Sequence, residues 1–376
     1  MKKRLSILLL KNITIFFSAL ICSSLACNAI TQTSISTPTQ ESATDPAATS
    51  ETPKDAEGFV ERGLNYRSEG EYDLALADLN QAIQLDPNYK HVFVYRGWVY
   101  FNKAQYDLSL ADQEKAIQLD PEDELAYDGR GTVYMVRGEY DTAIADFDKA
   151  IQLDPEYVEA YYNRGASYSK LGNYDQALQD CNKAIEIDPK YEEAYIARGN
   201  VYLDMGNYDL AIADYDKAVE LNPNNEYGYY SRGFAYLKLG DYDRALADYD
   251  KAIALNPDGY NYNNRCAIYD GKGDFDSALA DCNQAIKIMP DFANAFKNRG
   301  RAYAGKGENE LALADFNKAI ELKPDYAEAF YYRGVTYLTV QKKDLAIADF
   351  KKVVELNNAP DWQTKAQDQL TKLGVQ

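Results

Sequence analysis

Protein chemistry needs a nucleophile, a base or a metal-ligand set within reach of one another, and this sequence offers little of that kind. There is one histidine, His91. A lone imidazole supports no zinc site of ordinary ligand spacing, and no Ser or Cys nucleophile has a base at motif distance. His91 reads as an exposed residue in the first turn of a helix. Beyond residue 27 the cysteines are Cys181, Cys266 and Cys282. We read all three as buried reduced thiols acting as small apolar residues. The alternative is a bridge from Cys266 to Cys282 in an oxidising compartment. Acids are abundant, but they recur at a fixed period. No P-loop or dinucleotide fingerprint appears. No catalytic residue, metal site or cofactor is expected, and an enzyme is not the reading the residues support.

The elements that carry these residues repeat. The phrase RGEYDTAIADFDKAIQLDPEY, Arg137 to Tyr157, returns with a period of 34 residues from Ala56 to about Pro360, nine copies with one residue missing between the sixth and seventh. Counting positions from Ala56, position 8 is Gly in eight copies and Cys266 in the seventh. Position 20 is Ala in eight and position 27 is Ala in eight, so small residues let two helices approach closely. Position 11 is Tyr in all nine. Position 15 is Gly in seven copies, where a left-handed cap ends the first helix. Position 32 is Pro in eight, usually after Asp or Asn, which predicts an N-cap and a proline opening the next helix. Position 18 is Asp in eight, in the first turn of the second helix, where it complements the helix dipole. Each unit is therefore helix, tight turn, helix, short link. Cys181 and Cys282 fall at position 24, a core position that five other copies fill with Phe or Tyr.

This pattern resembles the tetratricopeptide repeat over about 305 of the 376 residues. The resemblance implies an all-α fold, a right-handed α-solenoid (superhelix) of nine helical hairpins over 56–360. The tail DWQTKAQDQLTKLG places Trp362, Ala366, Leu370 and Leu373 on one helical face, so 361–376 is expected to form a capping helix. Stability of such a stack is close to a sum along the array. The sequence departs from the commonest pattern of the family at two positions. Position 7 is Arg and position 23 is Asp in all nine copies. Antiparallel helices bring the two positions close, which predicts a ladder of structural pairs such as Arg62 with Asp78, Arg130 with Asp146, Arg198 with Asp214, and Arg333 with Asp349, within or between units.

Residues ahead of the repeats have a different character. Lys2, Lys3, Arg4 and Lys11 precede the 13-residue apolar run ITIFFSALICSSL, too short for a spanning helix of roughly 20 residues. Residues 1–26 thus read as an export signal. Ser24-Leu25-Ala26-Cys27 resembles a bacterial lipobox with its first two preferences reversed, which implies lipidation of Cys27; cleavage after Ala29 is the competing reading. Residues 27–55 read as a Ser/Thr/Pro-rich flexible tether, since eleven of the 24 residues from Thr31 to Lys54 are Ser or Thr. The expected location is the cell envelope, as a lipoprotein on the outer face of the membrane, or outside the cell. Contact with the membrane is expected only through the lipid. The net charge of −19, with no basic stripe, argues against nucleic acid as a partner.

If the invariant positions build the scaffold, the variable ones carry recognition. In tetratricopeptide proteins the groove is lined by the first helices, which implies an apolar pocket of Val60, Leu64, Val94, Trp98, Phe101 and Met135, and a second group of Tyr230, Phe234 and Leu237. Asn263, Asn264, Lys297, Asn298 and Arg301 form a donor patch that could receive a carboxylate; Lys297 and Arg301 are one helical turn apart. The expected function is a non-catalytic scaffold or adaptor that binds a protein or peptide in a concave groove. A glycan-binding envelope protein, with Trp98 and Tyr230 stacking on sugars, and an intracellular adaptor are the alternatives. Self-association is not legible in the sequence.

Overall fold

The computed structural model describes residues 53–375; the export signal, Cys27 and most of the tether lie outside the described residues. Two compact units divide the chain, meeting between residues 221 and 222. The first holds ten helices: α1 (Ala56–Ser68), α2 (Tyr72–Leu85), α3 (Val92–Asn102), α4 (Tyr106–Leu119), α5 (Glu124–Val136), α6 (Tyr140–Leu153), α7 (Val158–Lys170), α8 (Tyr174–Ile187), α9 (Glu192–Asp204) and α10 (Tyr208–Leu221). The second holds nine: α11 (Glu226–Leu239), α12 (Tyr242–Leu255), α13 (Gly259–Lys272), α14 (Phe275–Ile288), α15 (Ala293–Gly305), α16 (Asn309–Leu322), α17 (Ala327–Thr339), α18 (Lys343–Leu356) and α19 (Pro360–Lys372). Within each unit, consecutive helices pair as antiparallel hairpins, and each hairpin packs on the next. Both units are all-α repeat solenoids, with no strand among the described residues.

Small residues make the hairpins close. A Cβ placed on Gly131 would lie 2.8 Å from the Phe147 ring, and one on Gly199 would lie 2.6 Å from Tyr215. Phe147 and Tyr215 are completely buried in return, as are Ala143 and Ala150. In α13 and α14 the same two positions hold Cys266 and Cys282, and they are joined by a disulfide, with Cα atoms 5.5 Å apart. This corrects the reading of two free thiols: a sulfur from each helix occupies the space that glycine and an aromatic ring share elsewhere. Cys181 is free and buried.

The turns follow the expected left-handed geometry, with φ between 77° and 81° at Gly70, Gly138, Gly172, Gly206, Gly240, Gly273 and Gly307. Ala104 (φ 56°) and Gln341 (φ 62°) are held in the same region without glycine's freedom. The links differ from expectation. Asp86, Asp120, Asp154 and Asp188 are C-caps of the preceding helix, and each carboxylate accepts from the backbone N–H two residues on, across the proline. The proline therefore sits in an Asx-type turn and does not open the next helix. His91 also differs. It has φ 64°, its side chain is 19% exposed, and Nδ1 lies 2.7 Å from Oδ2 of the buried Asp123.

All nine arginines at position 7 grip the aspartate sixteen residues on in their own hairpin. Nε donates to Oδ2 at 2.6–2.9 Å and Nη2 to Oδ1 at 2.6–2.8 Å. The guanidinium also stands 5.2–5.7 Å from the ring at position 4, from Phe59 to Phe330. Its remaining nitrogen, Nη1, reaches back to the preceding hairpin: Arg96 to Asn80, Arg164 to Asp148, Arg198 to Asn182, Arg265 to Asp250, Arg299 to Asn283 and Arg333 to Asn317, at 2.5–2.7 Å. One residue thus ties helix to helix and hairpin to hairpin.

The Asp214 side chain is 8% exposed and that of Arg198 is 21% exposed, so the fork is nearly dry. Asp214→Ala, which leaves a half-buried guanidinium without its carboxylate, should cost about 3 kcal/mol in a denaturant melt, while Arg198→Met with Asp214→Leu together should cost far less. Equal losses would mean that the pair is not the source of the effect. Ala104→Gly should stabilise the chain by roughly 1 kcal/mol, because it relieves a left-handed backbone at a non-glycine residue.

Candidate docking surface

The first helix of each hairpin carries the irregular residues, and burial sorts them. In the first unit Val94 is fully enclosed, and Val60, Leu64, Trp98 and Met135 are each less than a tenth exposed. The Arg67 guanidinium lies 5.2 Å from the Trp98 ring, and the Tyr95 ring is 5.5 Å away. The expected apolar pocket is therefore packing between successive hairpins, because positions 5 and 9 face the neighbouring first helix. Trp98 offers no open face to a sugar. Phe101 remains half-buried, beside Tyr106 at 5.6 Å.

Further along the same unit, polar groups enter this seam. Asn163 Nδ2 donates to Asp128 Oδ1 at 2.9 Å, and the Tyr157 hydroxyl donates to Oδ2 at 3.2 Å. Burial pushes the Asp128 carboxyl up to about 6 against those two bonds. Glu159 is pushed up to about 7, chiefly by burial, with the charges of Asp128, Asp188 and Asp154 adding to it. Tyr162 and Tyr191 meet edge to face at 5.8 Å beside this pair. Position 2 and position 5 acids carry no repeat-wide pattern, so sequence spacing gave no sign of this cluster.

In the second unit Tyr230 and Phe234 are half-buried. Tyr230 stacks on Tyr227 at 5.9 Å and meets Tyr249 at 6.1 Å; Lys238 lies over Phe234 at 5.0 Å. The donor patch is corrected by its own surroundings. Lys297 is buried and donates to Glu328 at 3.1 Å, with the Tyr326 ring 6.0 Å away. Arg301 pairs with Asp270 at 2.7 Å and stands over Tyr332 at 4.8 Å. Asn298 Nδ2 donates to Asn263 Oδ1 at 2.9 Å, and both residues are buried. These cations already hold carboxylates of this chain. Sequence reasoning missed an aromatic group at the end of the array, where Tyr331 and Tyr332 pack on Trp362 of α19 at 5.2 and 5.4 Å. Nothing separates that group from ordinary capping contacts until the helix is placed.

Among the described residues, no group of three or more His, Cys, Asp or Glu is arranged to hold a metal ion, and no helix is long and apolar enough to cross a membrane. Family models of the tetratricopeptide repeat match residues 63–123, 131–258 and 300–360, about two thirds of the sequence. The chain belongs to the tetratricopeptide repeat family. That family is one of protein-interaction scaffolds, which is the function the fold supports at its coarsest. The chain is similar to the Cut9–Hcn1 hetero-tetramer of APC/C, at 17% identity and a TM-score of 0.57, over 83% of this chain and 76% of that one. Yeast Tom70 is similar at 17% identity and 0.48, covering 85% and 89%. YrrB, described as a tetratricopeptide protein with an unusual peptide-binding site, is 30% identical with a TM-score of 0.42, covering 50% and 97%. No curated protein matches the chain.

A carboxyl whose pKa is raised on folding binds more protons in the native state than in the unfolded one. Stability then falls as pH rises from the ordinary glutamate range through about 7. Glu159→Gln should remove much of this slope. It should melt like wild type near pH 4.5 and be more stable by on the order of 2 kcal/mol at pH 8. Parallel pH profiles of the two proteins would contradict the assignment.

Proposed function

We propose that this protein is an exported, non-catalytic scaffold that docks a protein or peptide segment along the first helices of its hairpins and is held at the outer face of the membrane by a lipid on Cys27. One observation carries the docking reading. The periodic residues are consumed by the forks and the glycine–ring contacts, while partly buried rings that follow no period, Tyr230, Phe234, Tyr331 and Tyr332, lie on the first helices of the second unit. Rings that are partly buried in the free protein are ordered in advance, and aromatic anchors of this kind dominate the energetics of many interfaces. The Cys266–Cys282 disulfide supports export, since such bonds persist in oxidising compartments. The N-terminal pattern of basic residues, short apolar run and cysteine supports the lipid anchor.

The tests are separate for place and for docking. The mass of the native N-terminus is expected to show an acylated Cys27; an intact Met1 would rule out cleavage and the anchor. For docking, a partner captured from envelope extract should be lost at least tenfold on joint replacement of Tyr230 and Phe234 by alanine, and kept on Leu311→Ala, at an exposed site of the second-helix row. The reverse pattern would move the surface to the other side of the hairpins.

A further inference from the structure

The repeat allows one position to be compared with itself, and the comparison exposes a missing cation. In the second unit Lys297 at position 5, Tyr326 at position 34 and Glu328 at position 2 of the next copy form a closed set: ammonium, ring and carboxylate. In the first unit the same three positions hold Asp128, Tyr157 and Glu159. The lysine has become an acid, and the glutamate has remained. Asn163 donates to Asp128, a bond that the second unit repeats one hairpin before the lysine, where Asn298 donates to Asn263, each across 35 residues. Asp128 is satisfied by Asn163 and Tyr157, whereas among the described residues no other side chain bonds that of the half-buried Glu159. Its neighbours in electrostatic reach are Asp128, Asp154, Asp188, Tyr157 and Tyr191, all acidic or neutral. Two carboxyls and a wall of tyrosines thus face one another where the second unit places a lysine.

We propose that Asp128, Tyr157, Glu159 and Tyr191 form a pocket for a primary ammonium, the side chain of a lysine on the docked segment. The inference rests on the docking reading above and adds to it the chemistry of one contact. An ammonium brought to Glu159 would be stabilised by charge and by the electron-rich faces of the rings. It would do so at a site whose cost of desolvation the fold has already met. Lys297 shows that this scaffold accepts such a group at this position of the repeat when the chain itself supplies it.

The probe is the blocked tripeptide acetyl-Gly-Lys-Gly-amide, with norleucine in place of lysine as its neutral counterpart, titrated into the full chain labelled with ¹³C at the glutamate carboxyls. The Glu159 resonance is identified by its absence from the Glu159→Gln protein, and exposed Glu122 serves as the surface reference. The lysine peptide should move the Glu159 resonance saturably and lower its titration midpoint by about one unit, a tenfold preference for the ionised form. Norleucine should leave it unchanged, and Glu159→Gln should weaken the lysine peptide about tenfold. Equal shifts with both peptides, equal movement of Glu159 and Glu122, or no movement of Glu159 would each overturn the pocket. The capture assay scores residues of the other unit, so it can succeed while this pocket fails, and the reverse.

Discussion

A bidentate ion pair, made nine times, holds this molecule in register. Each guanidinium is spent completely: two nitrogens on the aspartate of its own hairpin, its face on the ring at position 4, and in most copies its third nitrogen on the hairpin before. Lysine could not do this, because a point charge has neither the planar fork nor the face. Pairs of this burial do not guarantee net stability, since desolvation offsets much of the attraction. Burial in fact leaves Asp112 and Asp180 with raised pKa values despite their forks. What the fork contributes is geometry. An aspartate that must meet two nitrogens fixes both the axial stagger and the rotation of the two helices, and Nη1 passes that setting to the neighbour.

The same arrangement explains how recognition can be free to vary. Glycine at position 8, alanine at positions 20 and 27 and the buried side chain at position 24, a ring in five copies, settle helix separation, and the fork settles register. Positions 2, 5 and 9 of the first helices are then left without a compulsory partner. They hold valine and tryptophan in α3, aspartate in α5, tyrosine in α11 and lysine in α15, and the hairpins around them keep one form.

Much of this was legible before any coordinates. Period, the alternation of two helices per copy, glycine turns and the pairing of positions 7 and 23 follow from residues that recur, since recurrence separates a constraint from an accident. Legibility failed where a side chain's meaning depends on depth. Val94, Trp98 and Met135 sit at positions that line a groove in the family, yet here the neighbouring first helix covers them. Lys297 and Arg301 looked like free donors because their carboxylates, Glu328 and Asp270, lie 31 residues either way along the sequence. The aspartate before the link proline in four hairpins resembled an N-cap, because an Asx-turn and a cap use the same side-chain oxygen and differ only in the backbone that follows. The disulfide stood only as the alternative for a plainer reason: two cysteines sixteen apart are unremarkable until one knows that sixteen is also the separation of each Arg–Asp fork and of the glycine–ring contact.

The bond between Cys266 and Cys282 lies inside one hairpin and crosses no boundary between hairpins. It therefore adds nothing to resistance against bending or twisting of its stack, which is set by non-covalent contacts alone. Its effect would be felt under tension. A stack pulled from its ends pays out chain one hairpin at a time, but the segment between the two sulfurs cannot extend, and that hairpin would yield a shorter length than its neighbours before the load passed on.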